Sequence, residues 1–256
     1  MFKPIYHLIE VTRKDSYNVV LRKVFKAIDA LITNSVSAIG IGVPSVVDPN
    51  SGTVYNVQNI PAWKKVPLKK LIQTHYKVTV SINNDANCLA LGEKYFGRGK
   101  EYKNYVVLCL GTGLGMGILI DNKLYNGVMC GAGEVGMLPY KDGVIEHYTG
   151  SFFFDKKYGE SAKSLYEKAI KKDRLALHAF KEYGIHLGEA IKVIMYLYAP
   201  QAIILSGSIS NAYAFFEESI QEILGSYTYQ KQLKYTKIEK SDLINASTLG
   251  AIALCM

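Results

Sequence analysis

The sequence lacks the features that mark secreted, membrane-spanning and disulfide-bonded proteins. None of its four cysteines forms a C-x-x-C pair, so neither a disulfide framework nor a paired-cysteine metal site is indicated. No apolar run reaches the length of a transmembrane helix. Residues 1–4 also lack the charged and apolar regions of a signal peptide. We therefore expect a cytoplasmic protein with reduced cysteines and no membrane partner.

The chain also lacks a concentrated block of basic residues, although its formal net charge is +8. Lysines and arginines are spread along the sequence and often neighbour acids, as in Arg13-Lys14-Asp15. Basic tails that bind nucleic acid usually concentrate about five or six like charges in one run. We therefore expect no nucleic-acid partner. The excess charge supports at most a general affinity for phosphate-bearing ligands.

Strand-like and helix-like patterns alternate along the chain, which predicts an α/β protein. An apolar stripe at helical spacing, from Val20 to Leu31, predicts a helix after Ser16. Strands are predicted at 6–11, 38–43, 78–82, 105–110, 117–120, 123–125, 202–205 and 235–239. Helices are predicted at 16–32, 67–76, 86–95, 161–171, 175–198, 212–224 and 248–254.

A glycine-rich stretch, Gly111 to Gly117, follows the apolar strand at 105–110. Every second residue in it is glycine, so its backbone N–H groups can converge on an anion, and Thr112 adds a hydroxyl donor. This pattern suits a nucleotide phosphate. It is not the dinucleotide fingerprint, because the spacing differs and a second strand follows in place of a helix. A glycine-rich β-hairpin without a ligand explains the pattern equally well.

A polar junction, Asn83-Asn84-Asp85-Ala86-Asn87, stands where a predicted strand ends and a helix begins. Ligands of open α/β sheets lie at the carboxyl ends of strands. Asp85 can therefore accept a proton from a substrate hydroxyl that attacks phosphorus, and the helix N-terminus would favour its ionised form. The alternative is that Asn84 or Asp85 only caps the helix.

Two further segments have the residue types of a sugar site. Glu134 and Glu146 lie in or near glycine-rich sequence, and a carboxylate accepts hydrogen bonds from paired sugar hydroxyls. The alternative, which these residues alone favour, is that both are surface acids of a mobile loop. Asn59 precedes the only tryptophan, Trp63, and amides together with an aromatic ring can bind a sugar. A tryptophan that anchors its loop to the core is at least as consistent with this segment.

Five stretches resemble, in order, motifs of the ROK family of bacterial sugar kinases and sugar-responsive regulators. They are 39–44 with Val47-Asp48-Pro49, 59–63, 84–87 with Leu91-Gly92-Glu93, 111–117 and 131–136. The turn at 206–210 also resembles the family's late glycine-rich turn near the adenosine of the nucleotide. The resemblance covers the chain from about Val11 to its end. The order and spacing of Asn84-Asp85-Ala86-Asn87 and Gly111-Thr112-Gly113 make it specific.

The resemblance implies a two-domain, actin-like fold of the sugar-kinase type with its active site between the domains. Residues 1–103 and a C-terminal helix at about 246–256 would form the smaller domain, and 104–245 the larger one. Asp85 would be the general base. The implied sugar ligands are Asn59, Asn84, Glu134 and Glu146, and the implied ATP ligands are Gly111, Thr112 and Gly113, with Gly207 near the adenosine. Mg²⁺ would accompany ATP, and the partners would be a small sugar and a second copy in a homodimer.

The sequence departs from the family pattern at three places. The family opens with an Asp-x-Gly-Gly-Thr hairpin that holds phosphate, whereas the first glycine here is Gly40, so we expect the chain to begin about one hairpin late. Met137 stands where many members carry histidine, and the segment 139–154 has no cysteine, which predicts no structural zinc. The late turn reads Ser206-Gly207-Ser208, where the family favours consecutive glycines.

The resemblance therefore predicts an ATP-dependent, glucokinase-like hexose kinase acting on glucose, a related amino sugar or fructose. The absence of the first phosphate hairpin favours an alternative: a catalytically impaired sugar-binding protein, or a sugar-responsive regulator of the same family. A DNA-binding repressor would carry an N-terminal helix-turn-helix domain, and we expect no room for one in this chain.

Overall fold

The computed structural model describes residues 10–57 and 59–256. The predicted strand at 6–11 lies mostly outside these residues. The described chain divides into two compact units. The first contains the described residues up to Gly92, Asn126–Gly131 and Ser247–Met256, and the second contains Glu93–Tyr125 and Ala132–Ala246.

The first unit combines helices with two small sheets. Its first helix, α1 (Tyr17–Asp29), follows Ser16 as predicted and buries Val20 completely. The elements that follow are β1 (Ala38–Val43), β2 (Val46–Asp48), β3 (Thr53–Tyr55), β4 (Lys65–Val66), α2 (Leu68–Tyr76), β5 (Thr79–Asn84) and α3 (Asp85–Phe96). The last turn of α3 belongs to the second unit.

Strand β1 pairs with β5 in parallel, from Ala38 opposite Thr79 to Val43 opposite Asn84. Strands β2, β3 and β4 form a separate antiparallel sheet in that order. The valine-rich core of this unit includes Val47, Val54, Val66, Ile72 and Val80. Because β5 runs into α3 with no residue between them, this core fixes the junction where the strand becomes a helix.

The second unit is built around a five-stranded sheet and helices that cover it. Its elements are β6 (Tyr105–Leu110), β7 (Leu114–Ile120), β8 (Lys123–Leu124), β9 (Pro139–Tyr140), β10 (Gly143–Val144), α4 (Glu146–Thr149), α5 (Phe152–Tyr158), α6 (Ala162–Ile170), α7 (Arg174–Tyr198), β11 (Ala202–Ser206), α8 (Glu217–Leu224), α9 (Gln230–Leu233) and β12 (Lys237–Lys240). The final helix, α10 (Ala246–Ala253), lies almost entirely in the first unit.

The sheet of the second unit has the order β12-β11-β6-β7-β8. Strands β12, β11 and β6 are parallel, and β7 and β8 add to them in antiparallel fashion. Asp121 and Asn122 join β7 to β8 with φ values of 48° and 64°, as a two-residue type I′ hairpin turn requires. The carboxyl ends of β6 and β11 therefore lie side by side at one edge of the sheet.

Helix α7 has 25 residues and supplies the centre of the core in this unit. Its buried residues, among them Tyr183, Leu187, Ile191 and Ile194, pack with the buried face of the sheet. The helix predicted at 212–224 is shorter than expected: a 3-10 helix at Ser208–Phe215 precedes α8. The Ser210 hydroxyl donates to the Gly207 carbonyl, and such local bonds compete with α-helical pairing.

The alternation of strands and helices confirms the predicted α/β class. Within the described part of the chain, no helix is both long enough and apolar enough to span a membrane.

Candidate functional site

The junction between β5 and α3 holds Asn84 and Asp85 in defined positions. The Asn84 side-chain oxygen accepts hydrogen bonds from the backbone N–H groups of Ala86 (2.8 Å) and Asn87 (3.3 Å). Its amide nitrogen donates to the Ser45 carbonyl at 3.3 Å. Asn84 is therefore the helix cap, one of the two alternatives that the sequence left open. Asp85 follows it as the first residue of α3.

Asp85 is a partly buried carboxylate whose environment makes it a stronger base. Burial raises the pKa of Asp85, and a hydrogen bond from the Ala86 N–H to its Oδ1 at 2.9 Å opposes the rise. The neighbouring Cys88 thiol is fully buried, and burial together with the Asp85 charge raises its pKa to about 12. Cys88 therefore stays protonated at neutral pH, and Asp85 is the carboxylate at this junction that can act as a base.

The side chains of Asn83, Asn87 and Asn126 form a hydrogen-bond network at this junction. The Asn83 Oδ1 accepts from the Asn84 N–H (2.8 Å) and from the Asn87 side-chain amide (2.9 Å). The Asn126 Oδ1 accepts from the Asn83 amide at 3.0 Å and from the Asn87 amide at 3.4 Å. Sequence reasoning assigned no role to Asn126, because its contact with residues more than 35 positions earlier exists only in the folded chain.

Asn59 lies in an exposed turn, and Trp63 is buried at 3% exposure. The indole N–H of Trp63 donates to the Tyr17 carbonyl at 3.4 Å. The tryptophan therefore anchors its loop to the core of the first unit, as one of the two interpretations of this segment required.

The glycine-rich stretch of the second unit is shorter as a loop than its sequence suggested. Only Gly111, Thr112 and Gly113 form the turn between β6 and β7, because Leu110 already pairs with Leu114. Gly115 and Gly117 lie within β7, opposite Cys109 and Val107 of β6. The structure thus corrects the sequence-based outline, in which the second strand began at Gly117. Gly115 and Gly117 lie on one face of the strand, as alternate residues do. In the sequence, their spacing cannot be distinguished from that of a longer glycine-rich loop.

The peptide groups of this turn have a defined orientation. The carbonyl oxygens of Gly111 and Thr112 both face the Ser151 N–H, at 2.9 and 3.2 Å. In a trans peptide the N–H points away from the C=O of the same unit, so the N–H groups of Thr112 and Gly113 are directed away from Ser151. A Cβ added to Gly111 would meet nothing within 4 Å. The turn therefore directs two neighbouring N–H groups to the same side, away from Ser151, and such N–H groups suit a phosphate group.

Glu146 lies beside the same turn, and Glu134 follows a glycine that packs on strand β7. The Glu146 Oε2 accepts from the Leu114 N–H at 3.0 Å, and a Cβ on Gly113 would lie 2.1 Å from that oxygen. Gly133 packs against β7 with φ +98°, so closely that a Cβ would lie 2.1 Å from the Met116 carbonyl. Glu134 follows it as an exposed residue before the 3-10 helix at Val135–Met137. Both acids are thus positioned from strand β7.

Gly207 brings the late glycine turn against the first one. Its φ is +89°, and an added Cβ would lie 2.4 Å from the Leu110 carbonyl oxygen. Leu110 immediately precedes Gly111, so the turns that follow β6 and β11 are in direct contact. Only glycine combines this φ with this approach at low cost. The second unit therefore brings together Gly111, Thr112, Gly113, Glu146 and Gly207, and the first unit holds Asn84 and Asp85.

In the described residues, no group of three or more His, Cys, Asp or Glu side chains has the geometry to hold a metal ion. Strand β9 instead places a tyrosine ring against a buried histidine. Tyr140 donates to or accepts from the buried His186 Nδ1 at 3.0 Å, and burial lowers the pKa of His186 to about 4.

The chain is similar to known proteins over most of its length. A family model described as the ROK family matches residues 6–256. A xylose repressor from Caldicellulosiruptor bescii is 30% identical over 246 residues, covering 84% of this chain and 61% of the repressor. A glucokinase from Halalkalibacterium halodurans is 30% identical over 205 residues, covering 68% of this chain and 62% of the glucokinase. The chain thus spans about three-fifths of the length of these relatives.

Solved structures show the same fold. A candidate sugar kinase from Cytophaga hutchinsonii superposes with a TM-score of 0.80 at 27% identity, over 92% of this chain and 84% of that one. A glucokinase from Streptomyces griseus, solved with glucose and AMPPNP, superposes with a TM-score of 0.77 at 24% identity, over 94% and 88%. The predicted actin-like ATPase fold of the sugar-kinase type is thereby confirmed.

Proposed function

Because the chain belongs to the ROK family, we propose that it is an ATP-dependent sugar kinase that transfers the γ-phosphoryl group to a hydroxyl of a hexose. The observation that carries this proposal is the placement of Asp85 directly after the helix cap. Asp85 is a carboxylate of raised pKa, fixed at the N-terminus of α3 by the Asn84 cap. A general base for a sugar hydroxyl needs this combination of rigid placement and basicity.

In the proposed reaction, Asp85 takes the proton of the sugar hydroxyl while the hydroxyl oxygen forms a bond to the γ-phosphorus. The bond from that phosphorus to the bridging oxygen breaks, and ADP leaves with the electron pair. The N–H groups of Thr112 and Gly113 would hold the phosphates of ATP, with Gly207 close to the adenosine. Mg²⁺ would be bound mainly by the phosphates themselves and would neutralise part of their charge.

The proposed sugar ligands are Asn59, Asn84, Glu134 and Glu146. The long bond of 3.3 Å from the Asn84 amide to the Ser45 carbonyl is one that a sugar hydroxyl can replace. Glu146 keeps one oxygen on the Leu114 N–H, and its other oxygen would accept from the sugar. The carboxylates of Glu134 and Glu146 would accept hydrogen bonds from sugar hydroxyls, and a ligand with several hydroxyl groups suits such acceptors.

A second function, a sugar-responsive regulator without appreciable kinase activity, is favoured by one observation. Xylose repressors that are 27–32% identical match 83–94% of this chain, whereas glucokinases that are 30% and 27% identical match 68% and 84% of it. A regulator would need the sugar site but no general base. In that case a pentose such as xylose would be the ligand to test beside the hexoses.

The substitution Asp85→Asn tests the kinase proposal. We expect turnover to fall by about 10²–10⁴-fold, since general base catalysis is lost, while sugar affinity measured by calorimetry changes little. The matched control is Asp155→Asn, the same change at an exposed position of α5, which should leave turnover unchanged. Undiminished turnover in Asp85→Asn would remove Asp85 from the mechanism. Sugar binding without turnover in the unaltered protein would favour the regulator.

We further propose that the protein is cytoplasmic and acts as a homodimer, in keeping with the family resemblance.

A further inference from the structure

The segment Asn126–Gly131 belongs to the first unit, although the residues on both sides of it belong to the second. Its backbone has three residues with positive φ: Gly127, Met129 and Cys130 have φ values of 63°, 55° and 55°. Two consecutive non-glycine residues in the left-handed region are uncommon and persist where the surroundings enforce them. The contacts that enforce this path are therefore informative.

The segment contacts the β5–α3 junction at both of its ends. Asn126 accepts hydrogen bonds from the side-chain amides of Asn83 and Asn87. Cys130 is buried, which raises the pKa of its thiol, and a hydrogen bond from the Asn84 backbone N–H opposes that rise. The two residues thus brace the turn that presents Asp85, from opposite ends of one short segment.

The Asn126 Oδ1 is the acceptor that the Asn83 and Asn87 amides share. Asn83 and Asn87 lie two residues before and two residues after Asp85, and the Asn126 Oδ1 receives a hydrogen bond from each. In the described structure the buried Asn87 Oδ1 has no hydrogen-bond partner. The orientation of the Asn87 amide is therefore set by the two acceptors of its nitrogen, the Oδ1 atoms of Asn83 and Asn126. An unpaired buried carbonyl lowers the stability of the folded protein. Here the same amide group donates from its nitrogen to Asn83 and Asn126.

We propose that Asn126 is a positioning residue for Asp85. It acts as a hydrogen-bond acceptor that fixes the Asn83 and Asn87 amides and, through them, the first turn of α3. The inference rests on the proposed function, since it assigns Asn126 to the orientation of the general base. Asn126 does not touch the reacting atoms, and its role is to keep the Asp85 carboxylate in line with the sugar hydroxyl. A misplacement of about 1 Å is enough to cost about 10²-fold in rate.

The test compares two substitutions that differ only in the acceptor. Asn126→Asp keeps an oxygen where both amides donate, whereas Asn126→Ala removes it. We expect Asn126→Ala to lower kcat by about 10–100-fold, with the KM values for sugar and ATP changed less than about twofold. Asn126→Asp should restore kcat to within about threefold of the unaltered protein. The control is Asn211→Ala at an exposed position, with no effect expected.

Hydrogen exchange of the Ala86 and Asn87 amides supplies a readout that does not need kinase activity. These two N–H groups bond to Asn84 and should exchange faster in Asn126→Ala and normally in Asn126→Asp. If the unaltered protein has no turnover, the proposed function fails while this exchange still decides the role of Asn126. Unchanged exchange and unchanged kcat in Asn126→Ala would overturn the inference. A loss that Asn126→Asp does not restore would also overturn it, because the acceptor would then not be the cause.

Discussion

The contact between Gly113 and Glu146 is the most sharply defined feature of the proposed phosphate turn. An alanine at position 113 would place its Cβ 2.1 Å from the Glu146 Oε2, far closer than two non-bonded heavy atoms can approach. The carboxylate must move, and its hydrogen bond from the Leu114 N–H, now 3.0 Å, is then lost. Neither Gly111 nor Gly113 has φ in the left-handed region, so backbone strain does not enter.

The magnitude follows from the bond that is lost. A hydrogen bond to a charged group contributes about 1.5–3 kcal/mol, and the partial exposure of Glu146 places the expected loss near the lower end, about 1.5–2 kcal/mol. For a chain of this size each kcal/mol corresponds to about 2–4 °C in Tm. Gly113→Ala should therefore lower Tm by about 3–8 °C.

Calorimetric unfolding of Gly113→Ala and its control variants measures this effect. Gly111→Ala, in the same turn but with nothing within 4 Å of the added Cβ, is the matched control and should stay within about 0.5 kcal/mol of the unaltered protein. When each glycine substitution is combined with Glu146→Ala, the carboxylate is absent, and the difference in Tm between Gly111→Ala and Gly113→Ala should disappear. Equal Tm values for Gly111→Ala and Gly113→Ala would refute the argument.

Two further predictions concern the late turn and the general base. Gly207→Ala should destabilise the protein more than Gly159→Ala in thermal unfolding. Both glycines have positive φ, but only Gly207 would press a Cβ against backbone, and equal losses would contradict the close approach to Leu110. Burial raises the pKa of Asp85, so turnover should fall as the pH decreases through that raised pKa, above the range of an ordinary aspartate. The pH profile of kcat/KM measures this limb, and an acidic limb at the ordinary value would contradict the assignment.

The α/β class and most long elements were predictable because their patterns are local. The predicted strand at 38–43 is confirmed without change, and the helix at 175–198 differs by one residue at its start, since apolar periodicity marks both clearly. Strands β2, β3 and β4 were missed because two or three residues are too few to show alternation. Their positions depend on pairing within the fold.

The candidate site was predictable as a set of motifs but not as contacts. The sequence identified Gly113 and Glu146 separately, and only the structure shows that the carboxylate bonds to the strand that begins after Gly113. Similarly, the sequence left open whether Asn84 or Asp85 caps the helix, and the hydrogen bonds from Ala86 and Asn87 identify Asn84 as the cap. Asn126 carried no local signal, because its partners lie in a different part of the sequence.

The kinase proposal is tested most directly by looking for its product with the unaltered protein. One preparation of the unaltered protein should be assayed for sugar binding by calorimetry and for ATP-dependent formation of a sugar phosphate by mass spectrometry. The proposal predicts that a hexose binds and that its phosphate accumulates with ADP in equal amounts. Sugar binding at full occupancy without any sugar phosphate would contradict it.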